Sequence, residues 1–207
     1  GYDEVARLEH AALEQAMSHW GENPRIDILG PADPARRLGI VSFNILDAQG
    51  EILHPRLVTT VLNDLFGIQS RAGCSCAGPY GHDLLGIDAA QSEAIREAVL
   101  LGQAGLRPGW CRVSLHWVME AEEIDFLIGA VDWIAAHGAR IATLYAYDSV
   151  SGRWSWRGED VKPETGFPAA VFDDAPVELS WAPRDRAAYF SATLAAADAA
   201  VEAVSDA

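Results

Sequence analysis

The sequence is short of positive charge. Its 207 residues carry 15 Lys and Arg against 30 Asp and Glu, a formal net charge of −15 at pH 7. Nucleic-acid binding needs clustered cations to meet phosphates, so this balance excludes nucleic acid as a partner class. It argues equally against an anionic membrane surface. No run of about 18 apolar residues is present, so no segment is expected to span a bilayer. Gly1-Tyr2-Asp3-Glu4 has no basic region leading into an apolar one, so no secretory signal is expected. Cysteine is scarce: three cannot all pair within one chain. Cys74 and Cys76 are separated by a single residue. A reduced, cytoplasmic setting fits this usage. There is no internal repeat and no Gly-rich phosphate loop. Gly102-Gln103-Ala104-Gly105 reads as a helix end instead.

What is present suits a packed domain. Half of the residues are apolar, and the length fits one large domain or two small ones at roughly 100–200 residues each. Glu4 to Trp20 has helical spacing, with Val5, Leu8, Ala12, Leu13, Ala16 and Met17 recurring on one face. Ile26 to Leu29 reads as a short strand. Gly39 to Leu46 alternates, Val41, Phe43 and Ile45 on one face and Ser42 and Asn44 on the other. Pro55 stands where a helix can begin without loss of an N–H, and Gly67 where it can stop. Ile68 to Ala72 reads as a strand.

A loop follows, Gly73-Cys74-Ser75-Cys76-Ala77-Gly78-Pro79, with Tyr80 to Gly86 as its continuation. Asp88 and Gln91 form a capping-box pattern for the next helix, with Ile95, Ala98 and Val99 as its buried positions. Trp110 to Val118 alternates: Cys111, Val113, Leu115 and Trp117 share one face, Arg112, Ser114 and His116 the other. Glu122 to Ala136 is a helix with acids in its first turn, His137 in its last, and Gly138 as its stop. Arg140 to Tyr147 and Arg153 to Arg157 read as a hairpin with cross-strand aromatic pairs. Residues 159–183 are Pro- and acid-rich and expected to be irregular. Asp185 to Val204 is an Ala-rich helix with Phe190, Leu194, Val201 and Val204 on one stripe.

The fold class expected from this order is α+β with α/β-type alternation. Its mixed, partly antiparallel sheet should carry helices on one face. The other face would bear Arg112, Ser114 and His116.

Three stretches carry a family resemblance. Arg71, Gly73, Cys76, Ala77 and Pro79 match an R-x-G-x-x-C-A-x-P segment. Cys111-Arg112-Val113-Ser114-Leu115 with Glu122-Glu123-Ile124-Asp125 matches a C-R-x-S-L strand and the helix start after it. Leu29-Gly30-Pro31 and Arg37 to Asn44 match the G-P and R-x-G-x-x-S-F-N strands. Together they resemble the class V aminotransferases, pyridoxal-phosphate enzymes that include the cysteine desulfurases. The likeness runs from about Glu9 to Gly138.

The resemblance implies several things. Residues 1–147 would be the small C-terminal domain of a fold-type I pyridoxal-phosphate enzyme, with 1–20 as the inter-domain helix. Residues 148–207 would be an appended hairpin, acidic segment and helix. Arg112 would bind the α-carboxylate of an amino acid substrate, Arg71 would line the site, and Cys76 would be the sulfur-accepting cysteine of a desulfurase. That branch usually has two histidines before its cysteine, where this chain has Cys74 and Ser75. The departure points toward an aminotransferase-like member.

The cofactor needs a lysine for its Schiff base. This chain has one, Lys162, outside the matched stretch. The family's lysine lies in a larger preceding domain, so a large domain of the same polypeptide is an expected partner, and a homodimer the expected assembly.

Blander readings stand beside these. Arg112 could be a surface cation, and Arg71 could pair with Asp83. Cys111 reads as a small buried hydrophobe. The Cys-x-Cys spacing of Cys74 and Cys76, with His82 beyond, is too tight for the usual zinc pair, so no metal is expected. His10 and His19 have no partner visible in the sequence. A binding module that kept the fold and lost the chemistry remains the alternative to an enzyme.

Overall fold

In the computed structural model, described over residues 1–73, 78–158 and 185–205, strands β1 (Ile26–Ile28), β2 (Ile40–Ile45), β3 (Arg71–Gly73) and β4 (Trp110–Ser114) form one sheet. Its order is β1-β2-β4-β3, and each ladder is antiparallel. The expected α+β architecture is what the structure has. Helices α1 (Tyr2–Gly21), α2 (Pro55–Phe66) and α5 (Ala121–Ile141) cover one face. The alternation in the sequence produces this arrangement. Val41, Phe43, Ile45, Cys111 and Val113 point into the same buried cluster as Leu13, Trp20, Val58, Leu62, Val131 and Ile134. Burying such side chains stabilises the layer by about 1.5–3 kcal/mol each.

Local signals set several boundaries. Pro55 occupies the first turn of α2, and Gly67 closes it in the left-handed region at φ 66°. Asp88 and Gln91 form the reciprocal capping box of α4 (Ala89–Leu100). Hairpin β5 (Tyr145–Asp148) and β6 (Arg153–Trp156) pairs Tyr145 with Trp156 and Tyr147 with Trp154, ring centroids 5.3 and 4.8 Å apart. Helix α6 (Arg186–Ser205) lies against α5 and α2. Trp133 Nε1 donates to Asp198 at 2.7 Å, and Arg140 donates to the Val201 carbonyl at 3.0 Å.

The structure corrects some expectations. Tyr80 to Gly86 is not a loop: α3 spans Gly78–Leu85, with Pro79 in its first turn, where no N–H is needed. Gly138 does not stop α5, which runs on to Ile141. A Cβ at Gly138 would lie 2.7 Å from Leu53 Cδ1, so this glycine serves close packing and not termination. Arg140 and Ile141 are therefore helical, and the strand begins only at Tyr145. Ile95, Ala98 and Val99 are half-buried, and α4 has no buried residue, because it lies away from the core cluster. The strand through Arg112 ends at Ser114. Leu115 still turns inward, but His116 stands beyond the strand, and Trp117 is 45% exposed in a turn.

Candidate active-site face

The face of the sheet away from the helices is graded. At one end Trp110 and Asn44 are buried, 4% and 1% exposed. At the other, Ile40, Ser114 and Arg71 are exposed. Arg112 is half-buried between them. The register fixes its neighbours: Arg112 faces Ser42 on β2 and Arg71 on β3. The three form one cross-strand row, Ser42–Arg112–Arg71, on a single face.

The row has no counter-charge. Neither Arg71 nor Arg112 makes a hydrogen bond or ion pair with any described residue. Elsewhere the protein pairs its guanidinium groups readily: Arg7 with Glu4 at 2.6 Å, Arg96 with Glu93, and Arg186 with Glu120 at 2.8 Å. Like charges directly opposite on neighbouring strands repel. The expected pairing of Arg71 with Asp83 is not among the contacts. The sequence thus named two cations that the fold brings together. Cys74 and Cys76 lie outside the described residues, although Gly73, immediately before them, pairs with Trp110 at the buried end of the face.

The loop entering β2 is held by Arg37, whose guanidinium donates to the carbonyls of Pro31 and Leu29. Burial lowers its pKa from the usual value. Gly39 is buried because a Cβ there would collide with the Leu115 carbonyl, to which this loop is bonded through Leu115 N–H and Gly39 O at 2.7 Å. These contacts set the entry of β2 beside the end of β4, and so the height of Ser42 against Arg112.

Sequence reasoning missed two features. Asn44 reads as a surface position by alternation, yet neither of its amide atoms has a partner in its buried setting. His54 also went unremarked. It is the N-cap of α2: Nδ1 accepts from Arg56 N–H at 3.2 Å, and Nε2 donates to the Gly105 carbonyl at 3.1 Å. A histidine before a helix-opening proline was the available signal. Cys111 is fully buried, its thiol donating to the Pro55 carbonyl, and burial raises its pKa well above the ordinary range. It is a packing residue. His10 and His19 do have partners, Glu14 at 3.1 Å and Asp132. Among the described residues no group of His, Cys, Asp and Glu could hold a metal ion, and no helix is long and apolar enough to cross a membrane.

An antiparallel sheet helix-covered on one side, with a guanidinium row on the open side, defines a domain suited to hold a small carboxylate against another surface. The profile of the family described as aminotransferase class-V matches residues 1–127. The chain belongs to that family, and pyridoxal phosphate is the cofactor its members normally use. It is 35% identical over 79 residues to a probable cysteine desulfurase of Streptomyces coelicolor, covering 38% of this chain and 18% of that protein. Among solved structures it is similar to the apo cysteine desulfurase of Thermococcus onnurineus. That match has 25% identity and a TM-score of 0.48, over 66% of this chain and 27% of the other. The chain thus spans about a fifth to a quarter of the length of these relatives.

Proposed function

We propose that this chain is the small-domain part of a pyridoxal-phosphate-dependent class V enzyme that acts on an amino acid, with Arg112 as the group that holds the substrate α-carboxylate. The observation that supports this reading is the uncompensated Arg112–Arg71 pair on the open sheet face, inside the family-matched segment. A guanidinium presents a planar fork of donors that meets both oxygens of a carboxylate. Such a pair fixes the substrate in distance and in plane. Orientation of this kind is a large part of what an active site supplies.

The described residues do not hold the cofactor themselves. They include no lysine, the chain's one lysine being Lys162 outside them. Its attachment is therefore assigned to a preceding large domain of the same polypeptide, and the working unit to a cytoplasmic homodimer. When bound, the cofactor withdraws electrons from the substrate Cα. The part of Arg112 is to hold the carboxylate so that one Cα bond is presented to that withdrawal. Ser42 offers a neutral hydroxyl on the flank opposite Arg71.

The test is kinetic, in the full-length enzyme. Arg112→Ala should raise KM by about ten- to a hundredfold, the loss of one charge-assisted pair, with cofactor absorbance unchanged. Arg112→Lys keeps the charge without the fork and should not restore it. Turnover like the parent's in both variants overturns the assignment.

A second reading is favoured by the desulfurase relative: Cys76 as the sulfur acceptor. Release of sulfide from cysteine, lost in Cys76→Ser, would establish it. Transamination surviving that substitution would favour the first reading.

A further inference from the structure

We infer that the substrate carries a second anionic group on its side chain, so that the site takes a short amino dicarboxylate or an amino acid of equivalent charge. The inference rests on the proposed role of Arg112 and deepens it. One α-carboxylate has two oxygens and is satisfied by one guanidinium fork. The structure offers two forks side by side. Arg71 stands directly opposite Arg112 on the neighbouring strand, and residues so placed hold their Cβ atoms about 4.5–5.5 Å apart. The second fork is surplus to a monocarboxylate.

The surroundings point the same way. This chain has twice as many acids as cations, and three other arginines each take a neighbouring carboxylate. Arg71 and Arg112 take none among the described residues. The positions flanking them from β2 to β3 are neutral: Ser42 across from Arg112, and Ser114 two residues along β4. A pair of like charges kept adjacent without an internal acid is best satisfied by a ligand with two negative groups. The geometry sets the division of labour: Arg112, half-buried at the centre of the sheet, holds the α-carboxylate, and exposed Arg71, on the edge strand, holds the distal group.

The experiment is equilibrium binding of glutarate and of butyrate to the full-length holoenzyme by calorimetry, with Arg71→Gln and Arg112→Gln alongside. Both variants are first checked for unchanged circular dichroism. Glutarate should bind about ten- to a hundredfold more tightly than butyrate, the worth of one further charge-assisted pair. Arg71→Gln should erase that advantage and leave butyrate affinity within about twofold. Arg112→Gln should weaken both ligands. A glutarate affinity equal to that of butyrate overturns the inference, as does an advantage that survives Arg71→Gln or a failure of glutarate to bind. Butyrate binding that ignores Arg112→Gln overturns the underlying role of Arg112 instead, so the two failures are distinct. In turnover, aspartate or glutamate should outcompete 2-aminobutyrate by a similar factor in kcat/KM.

Discussion

The imidazole of His54 lies against the ring of Tyr147, centroids 5.1 Å apart, with Nε2 3.3 Å from the phenol oxygen. The same ring caps α2 and bonds to the Gly105 carbonyl, and Trp154 stands 5.8 Å away. One side chain therefore fastens a helix start, the 3₁₀ turn at Ala104–Leu106 and the β5–β6 hairpin. Its hydrogen bonds require the neutral tautomer with the proton on Nε2, because Nδ1 must accept.

Stability should accordingly fall in mild acid. Burial, and then the nearby Arg56 charge, lower the His54 pKa from its ordinary 6.5, against a weaker opposing effect of the Gly105 carbonyl. The unfolded chain then binds more protons than the folded one, so stability is full above the unfolded value and is lost as pH drops through the folded one. Urea midpoints measured across that interval should decline in the parent. His54→Asn, which can still cap the helix, should decline less steeply. Parallel slopes would remove His54 as the cause. At neutral pH His54→Ala should cost about 0.5–2 kcal/mol, the usual worth of an N-cap.

The arginine row predicts an opposition between stability and binding. Without ligand, Arg71→Gln relieves a like-charge pair and should raise stability by about 0.2–1 kcal/mol, read as a higher melting temperature. The same variant should lose affinity for dicarboxylates. A drop in melting temperature would mean that Arg71 has a stabilising partner in the folded protein.

Two glycines in α5 should behave in opposite ways. Nothing lies within 4 Å of a Cβ placed at Gly129, whereas one at Gly138 meets Leu53 at 2.7 Å. Gly129→Ala should stabilise by up to about 1 kcal/mol through helix propensity. Gly138→Ala should end below the parent, since the clash outweighs that gain. Equal melting shifts for the two would refute the packing role of Gly138.

Docking of α6 should depend on one acceptor. Asp198→Ala leaves the Trp133 N–H, in a side chain only 8% exposed, without its partner. The cost should be about 1–3 kcal/mol, seen in chemical denaturation. Asp198→Asn keeps an acceptor oxygen and should recover most of it. If Asn is as damaging as Ala, the hydrogen bond is not what holds the helix.

Much of the sheet was legible because its burial follows strict alternation: Val41, Phe43 and Ile45 could only face one way. The two arginines were also legible as cations in recognisable stretches. Their adjacency was not, because it depends on the register of β3 against β4 across residues 74–109. Asn44 was misread for a related reason. Alternation assigns it to the open face, but not to the part of that face that is covered. Gly138 was misread because a glycine at a helix end and a glycine at a helix contact look alike in sequence. The clash with Leu53 exists only once α5 has packed. The partners of His19 and Trp133 lie 113 and 65 residues away, beyond the reach of any local pattern.

The two ends of the excursion that carries α3 and α4 face each other across the β3–β4 ladder, Gly73 against Trp110. Neighbouring strands lie about 4.8 Å apart, so the chain leaves the sheet and re-enters it at nearly the same point. Helix α4 supplies its own capping box and contributes nothing to the buried core. The entropy of closing such a detour grows only slowly with its length. This segment can therefore lengthen, shorten or be exchanged for unrelated sequence while Arg71 and Arg112 keep their spacing. The evolutionary freedom of this protein is concentrated there, beside a site whose own geometry is anchored elsewhere.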